Sequence, residues 1–142
     1  MTLSELPAWA GDMLANARVA HLGLLDDRDR PRVLPVTFVL HEGMLYSAVD
    51  EKPKRVPAEA VARVRYIQRR PQAALTVDRY DEDWTRLAWV QVLCDARVVE
   101  REAAPGGLGA LCQKYAPYRR RPPSGPVLEL VPRRALCWRA AG

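Results

Sequence analysis

The sequence predicts a mainly β domain with a few helices, a small antiparallel barrel of six or seven strands, closed or split. Three observations predict it. Short β-rich runs recur along the chain between clusters of turn residues. One long helical pattern is inserted after the third β segment, an order that suits a small barrel better than a doubly wound sheet. No G-x-G-x-x-G follows any strand, so the phosphate turn of a parallel nucleotide-binding unit is missing.

The elements follow in order. Ser4 is placed to cap a first helix, with Pro7 tolerated in its opening turn and Leu6, Trp9, Met13 and Ala17 at helical spacing. Val19 to Leu25 has strand length, and the polar cluster from Asp26 to Pro31 reads as a hairpin turn. Arg32 to Leu40 is expected as the second strand, interrupted by Pro35, which donates no ladder bond and so requires an edge or a bulge. His41, Glu42 and Gly43 form the next turn, and Met44 to Ala48 the third strand. A helix after Pro57 buries Ala60, Val61, Val64 and Ile67 and stops at Pro71. Ala73 to Asp78 is a fourth strand, Arg79 to Trp84 a charged aromatic loop, and Leu87 to Glu100 one bent strand or two. Pro105 opens a short helix through Tyr115, Arg119 to Pro123 is a loop, and Val127 to Trp138 closes the barrel.

The chain of 142 residues suits one domain, taken as residues 1–142, with enough apolar side chains to close a core unaided. Its 49% hydrophobic and 27% charged residues exclude a disordered polymer, and its longest apolar stretches fall far short of the ~20 residues a spanning helix needs. With no basic start leading into an apolar run, the expected location is the cytoplasm. Cys94, Cys112 and Cys137 are widely separated, with only His21 and His41 as co-ligands, so no metal site is expected and the thiols read as idle. His21, on an apolar strand, reads as a core histidine.

A net charge of +5 permits an anionic partner. Nucleic acid is not expected, because the cations gather in loops and on one helix instead of interleaving with aromatics on a strand face. The segment from Tyr46 to Arg55 ends a strand on Ser47 and then presents Lys52, Lys54 and Arg55 within four residues. Such a cluster suits a phosphate, Lys as a point charge and Arg as a fork, and a solvated charged loop is the plain alternative. Trp84, Trp89 and Trp138 each read singly as core, and together as a stacking surface. No Ser-His-Asp or Cys-His set supports hydrolysis.

Arg32-Val33-Leu34-Pro35-Val36-Thr37-Phe38, Leu45-Tyr46-Ser47-Ala48-Val49-Asp50 and Lys52-Pro53-Lys54-Arg55 resemble the pyridoxamine 5'-phosphate oxidase-like, FMN-binding split-barrel superfamily, and its deazaflavin-dependent branch in particular. The resemblance continues through Val77 to Trp84, Leu87 to Val90, Lys114-Tyr115 and Arg121-Pro122-Pro123. It implies a homodimer of split barrels with cofactor sites at the interface, each built from both subunits. It implies an oxidoreductase passing a hydride between coenzyme F-420, or alternatively FMN, and a small unsaturated or carbonyl substrate. Pro35, Val36 and Thr37 would lie at the ring and Ser47, Lys52, Lys54 and Arg55 at the phosphate, with Arg32, Ala48 and Trp84 completing the set. A non-catalytic carrier of cofactor or heme is the rival reading within the same fold.

Overall fold

The computed structural model describes residues 1–49 and 58–141. Seven strands, β1 (Ala20–Leu25), β2 (Pro31–Val36), β3 (Val39–His41), β4 (Met44–Ala48), β5 (Gln72–Arg79), β6 (Ala88–Val99) and β7 (Val127–Arg139), are joined by four helices, α1 (Ala8–Asn16), α2 (Ala58–Arg69), α3 (Pro105–Lys114) and α4 (Ala116–Arg120). The strands form one antiparallel sheet in the order β2-β1-β5-β6-β7-β4-β3. The sheet curls into a split barrel, as the sequence predicts.

Alternation along the strands sends Ala20, Leu22 and Leu24 of β1, Leu75 and Val77 of β5, and Val90 and Val92 of β6 to the same buried face. Leu14 of α1 and Ile67 of α2 fill the concavity they line, with Trp9, Met13, Ala17 and Val64 at its margin, as expected; the side chains of Ala60 and Val61 lie outside the described residues. A second cluster forms where α3 and α4 cover β3 and β4, through Leu111, Tyr115, Tyr118, Val39 and Tyr46. Gly107 is required there, because a Cβ would sit 2.6 Å from the Tyr46 ring.

Most turns match their chemistry. Asp26 closes the β1–β2 hairpin by accepting the N–H groups of Arg28 and Arg30. Glu42 and Gly43 both take positive φ, the type I′ requirement of a two-residue hairpin loop. Ser4 is not a helix cap: Thr2 stands before a 3-10 turn over Leu3–Glu5, and Pro7 occupies the N-cap position of α1.

Four further expectations need correction. The strand expected from Arg32 to Leu40 is two strands on opposite edges of the sheet. It breaks at Thr37 and Phe38, not at Pro35, which stays in β2 opposite His21 because an edge strand tolerates a missing donor. Arg119 and Arg120 belong to α4, where Arg119 donates to the carbonyls of Cys112 and Gln113. His21 is exposed on the convex face, since its neighbours Ala20 and Leu22 take the core side. Trp89 and Trp138 face each other across β6 and β7 on that convex face, and Trp84 stands 67% exposed between β5 and β6, so none of the three is core.

Leu87 to Glu100 resolves as the single strand β6. Its partner β7 carries a bulge: Leu93 faces Arg134 and Cys94 faces Pro132, leaving Arg133 as the extra residue.

Candidate functional site

The corner at Thr37–Phe38 links the two edges of the sheet, and the structure secures it from three directions. The Ser47 hydroxyl, on β4, donates to the Thr37 carbonyl at 2.7 Å. Thr37 Oγ1 and the Tyr118 hydroxyl share a hydrogen bond of 2.7 Å. The Tyr115 hydroxyl accepts the Phe38 N–H at 3.1 Å and faces the carbonyls of Arg18 at 2.8 Å and Phe38 at 3.0 Å. Lys114 completes the corner, its Nζ donating to the Phe38 carbonyl at 2.9 Å and lying 4.0 Å above the Phe38 ring.

These residues make Phe38 leave the sheet. Its backbone groups are satisfied by side chains from α3 and its C-terminal end instead of by a ladder, and its ring is fully buried. Burial pushes the Lys114 ammonium down to about 8, aided by the positive charge of Arg18. Burial also raises the Tyr115 hydroxyl above its ordinary value, so it stays protonated and can donate at neutral pH.

The corner brings together Thr37, just past the end of the edge strand β2, and Ser47 of β4, next to the opposite edge, two of the residues singled out by sequence. Pro35 and Val36 precede it on β2 and Ala48 follows Ser47 on β4, so the proposed ring strand and the entrance to the basic loop converge here. Lys52, Lys54 and Arg55 lie outside the described residues. Ser47 is 1% exposed and its proton is committed to Thr37, so in this arrangement it braces the corner from within. Val36 is buried toward the core, whereas Pro35 is exposed in a convex row with His21, Thr76, Gln91 and Leu136.

Two residues of the sequence-derived set stand apart. Arg32 is four residues from Val36 on β2, roughly 13 Å along an extended strand. Trp84 sits on a loop held by its own polar contacts, in which Asp83 accepts from the N–H and hydroxyl of Thr85 and Asp81 pairs with Arg86. Sequence reasoning missed Tyr115, Tyr118 and Lys114 as supports of the corner. The Lys114-Tyr115 pair carried a signal in its motif, but its target 76 residues away did not.

Among the described residues no cluster of three or more His, Cys, Asp or Glu is placed to hold a metal. Cys94 is buried, and its thiol is pushed up to about 12 by burial and by Asp95, as an idle thiol should be. No helix is long and apolar enough to cross a membrane among the described residues.

No protein-family model matches the chain, and no curated protein does. Solved structures do match. The conserved hypothetical protein Rv2991 from Mycobacterium tuberculosis aligns with 94% of this chain and 84% of its own at 16% identity and a TM-score of 0.74. A structure described as an F420 reductase aligns with 92% of this chain and 98% of its own at 18% identity and a TM-score of 0.67. A heme binding protein from Mycobacterium smegmatis aligns with 96% of this chain and 56% of its own at 17% identity and a TM-score of 0.73. At these identities the likeness is one of fold. The chain is a split-barrel protein, and that fold is shared by proteins with different ligands.

Proposed function

We propose that the chain is one subunit of a homodimeric oxidoreductase that binds coenzyme F-420, or in the alternative FMN, at the Thr37–Ser47 corner. The observation that carries the reading is the 2.7 Å bond from Ser47 to Thr37, which joins the end of the strand carrying Pro35 to the strand whose sequence continues into Lys52-Pro53-Lys54-Arg55. A flat ring against Pro35 and the Thr37 backbone would then lie beside the strand whose sequence continues into three cations. The motif resemblance and the fold held in common with an F420 reductase support the same reading.

The residues present fit such a group. Pro35 offers an exposed apolar surface with no donor, and the corner is preorganised by its hydrogen bonds. When bound, the cofactor supplies hydride chemistry; the chain supplies position, charge and exclusion of water. Pro35 and Thr37 would lie at the ring side, Lys52, Lys54 and Arg55 would neutralise the phosphate, and Ser47, Tyr115 and Tyr118 keep the corner rigid, with Ala48 buried behind it. The substrate is a small unsaturated or carbonyl compound.

A second subunit would cover the convex face. Trp89 and Trp138, 36% and 46% exposed, form a cross-strand pair with the exposed Tyr80 and Trp84 on the adjoining loop, an apolar surface suited to a self-complementary contact. Trp84 of one subunit would in this way border the site of the other.

A second reading, a heme carrier, draws on His21, whose exposed imidazole sits opposite Pro35, and on the fold shared with a heme binding protein. Fluorescence-quenching titrations with coenzyme F-420 and FMN, and an absorbance titration with hemin, separate the readings. Micromolar or tighter binding of F-420 or FMN supports the oxidoreductase. Binding of hemin alone, lost in His21→Ala, replaces it with the carrier.

A further inference from the structure

We propose that a groove at the far end of β1 and β2 is a second ligand site, which takes an amphipathic carboxylate with its apolar body between β1 and β5 and its carboxylate on Arg32 and Arg133. The groove encloses about 480 Å3. It lies at the Pro31–Val33 end of β2, away from the Thr37 corner, and the proposal does not depend on the cofactor reading.

The groove exists because two neighbouring strands part. β1 and β5 pair only over His21–Gly23 and Ala74–Thr76, and beyond Gly23 the groove is lined by the buried Leu24, Ala73 and Cys94 as an apolar floor and by Leu25, Val33 and Leu93. The tip of the β1–β2 hairpin is held instead by α2: Arg65 pairs with Asp27 at 2.8 Å, and Arg69 and Arg70 pair with Asp29 at 2.8 and 3.1 Å. Gly23 keeps the wedge open. A Cβ there would meet Ala74 only at ordinary contact distances of 3.7 and 3.9 Å, so no backbone clash demands glycine, and the side chain it lacks is space within the groove.

The rim is basic. Asp26 is satisfied by the N–H groups of Arg28 and Arg30 and by Arg30 Nε at 3.0 Å, so Arg32, 4.0 Å from it and about half exposed, is surplus to its neutralisation. Arg133, the bulged residue of β7, also lines the groove; its Nε is paired with Asp95, another lining residue, at 2.6 Å, and among the described residues its other four donors find no partner. An apolar groove lined by two arginines, one of them in excess over the neighbouring carboxylates, matches a ligand with an apolar chain and one carboxylate.

The test is calorimetric titration with decanoate and, as its uncharged counterpart, decan-1-ol, on protein first saturated with whichever of F-420 or FMN it binds. Decanoate should bind at least about tenfold more tightly than decan-1-ol, and Arg32→Ala should weaken it about tenfold, the loss of one charge-assisted bond. Gly23→Val, which fills the floor, should abolish binding while circular dichroism and melting show a folded chain. Val33→Trp, which fills the groove from an exposed position, is the second variant should Gly23→Val not fold. Failure of decanoate to bind, equal binding of decan-1-ol, or binding unchanged by a folded filling variant overturns the proposal. So does sedimentation showing that the filling variants split a dimer that binds no decanoate, since the occupant is then a second copy of the chain.

Discussion

The Ser47 hydroxyl donates to the Thr37 carbonyl across the seam of the split barrel, joining β4 to the segment where the chain passes from one sheet edge to the other. Because Ser47 is enclosed, no water can replace it without a rearrangement. Ser47→Ala should lower stability by about 1–3 kcal/mol, the cost of leaving a buried carbonyl without its donor. It should also loosen the corner enough to weaken cofactor binding, and urea unfolding with a parallel cofactor titration reads both effects.

Tyr115 is the second brace. Its hydroxyl is the partner of the Phe38 N–H, which has left the sheet ladder. Tyr115→Phe keeps the ring and its edge contact with Tyr118 but orphans that donor, for a destabilisation of about 1–3 kcal/mol in urea melts. A loss much smaller than this would mean the Phe38 N–H has another partner.

Gly107 allows α3 to lie on the Tyr46 ring. Gly107→Ala should destabilise the chain by about 1–3 kcal/mol, since the ring and helix must separate to admit a methyl group, against the gain in helix propensity that the same change brings elsewhere. Thermal melting alongside Gly109→Ala, where a Cβ meets nothing within 4 Å, isolates the packing cost.

Lys114 predicts a pH dependence. Burial, with Arg18 nearby, brings its ammonium to about 8 from an ordinary 10.5, so between those values the unfolded chain holds a proton that the folded chain has released. Stability therefore rises with pH across this window, and the cost of the buried charge is fully present below pH 8. The stability of the wild type minus that of Lys114→Gln, measured by urea unfolding from pH 7 to pH 10, should increase with pH; a flat or falling difference contradicts the placement of Lys114.

Much of the fold was legible because strand alternation and turn chemistry are local. Val64 and Ile67 marked the buried stripe of α2, and Asp26 and Gly43 marked their turns. The division of Arg32 to Leu40 was not legible, because Pro35 is a local signal while the break is imposed at Phe38 by Lys114 and Tyr115 from the far end of the chain. The tryptophans misled for a related reason. Composition ranks them as core, yet the register of β6 and β7 turns Trp89 and Trp138 outward. Thr37 and Ser47 were singled out by motif, but only the curl of the sheet shows that they touch. Arg32, five residues before Thr37, lines a different hollow.

The central claim, a flavin-type cofactor whose phosphate is held by the loop after β4, is tested most directly by titrating F-420 and FMN into wild type and Lys54→Glu. A carboxylate beside the phosphate should weaken the bound cofactor by about tenfold or more while melting and sedimentation stay unchanged. Equal affinity of the two proteins, or no binding of either cofactor to the wild type, would contradict the account.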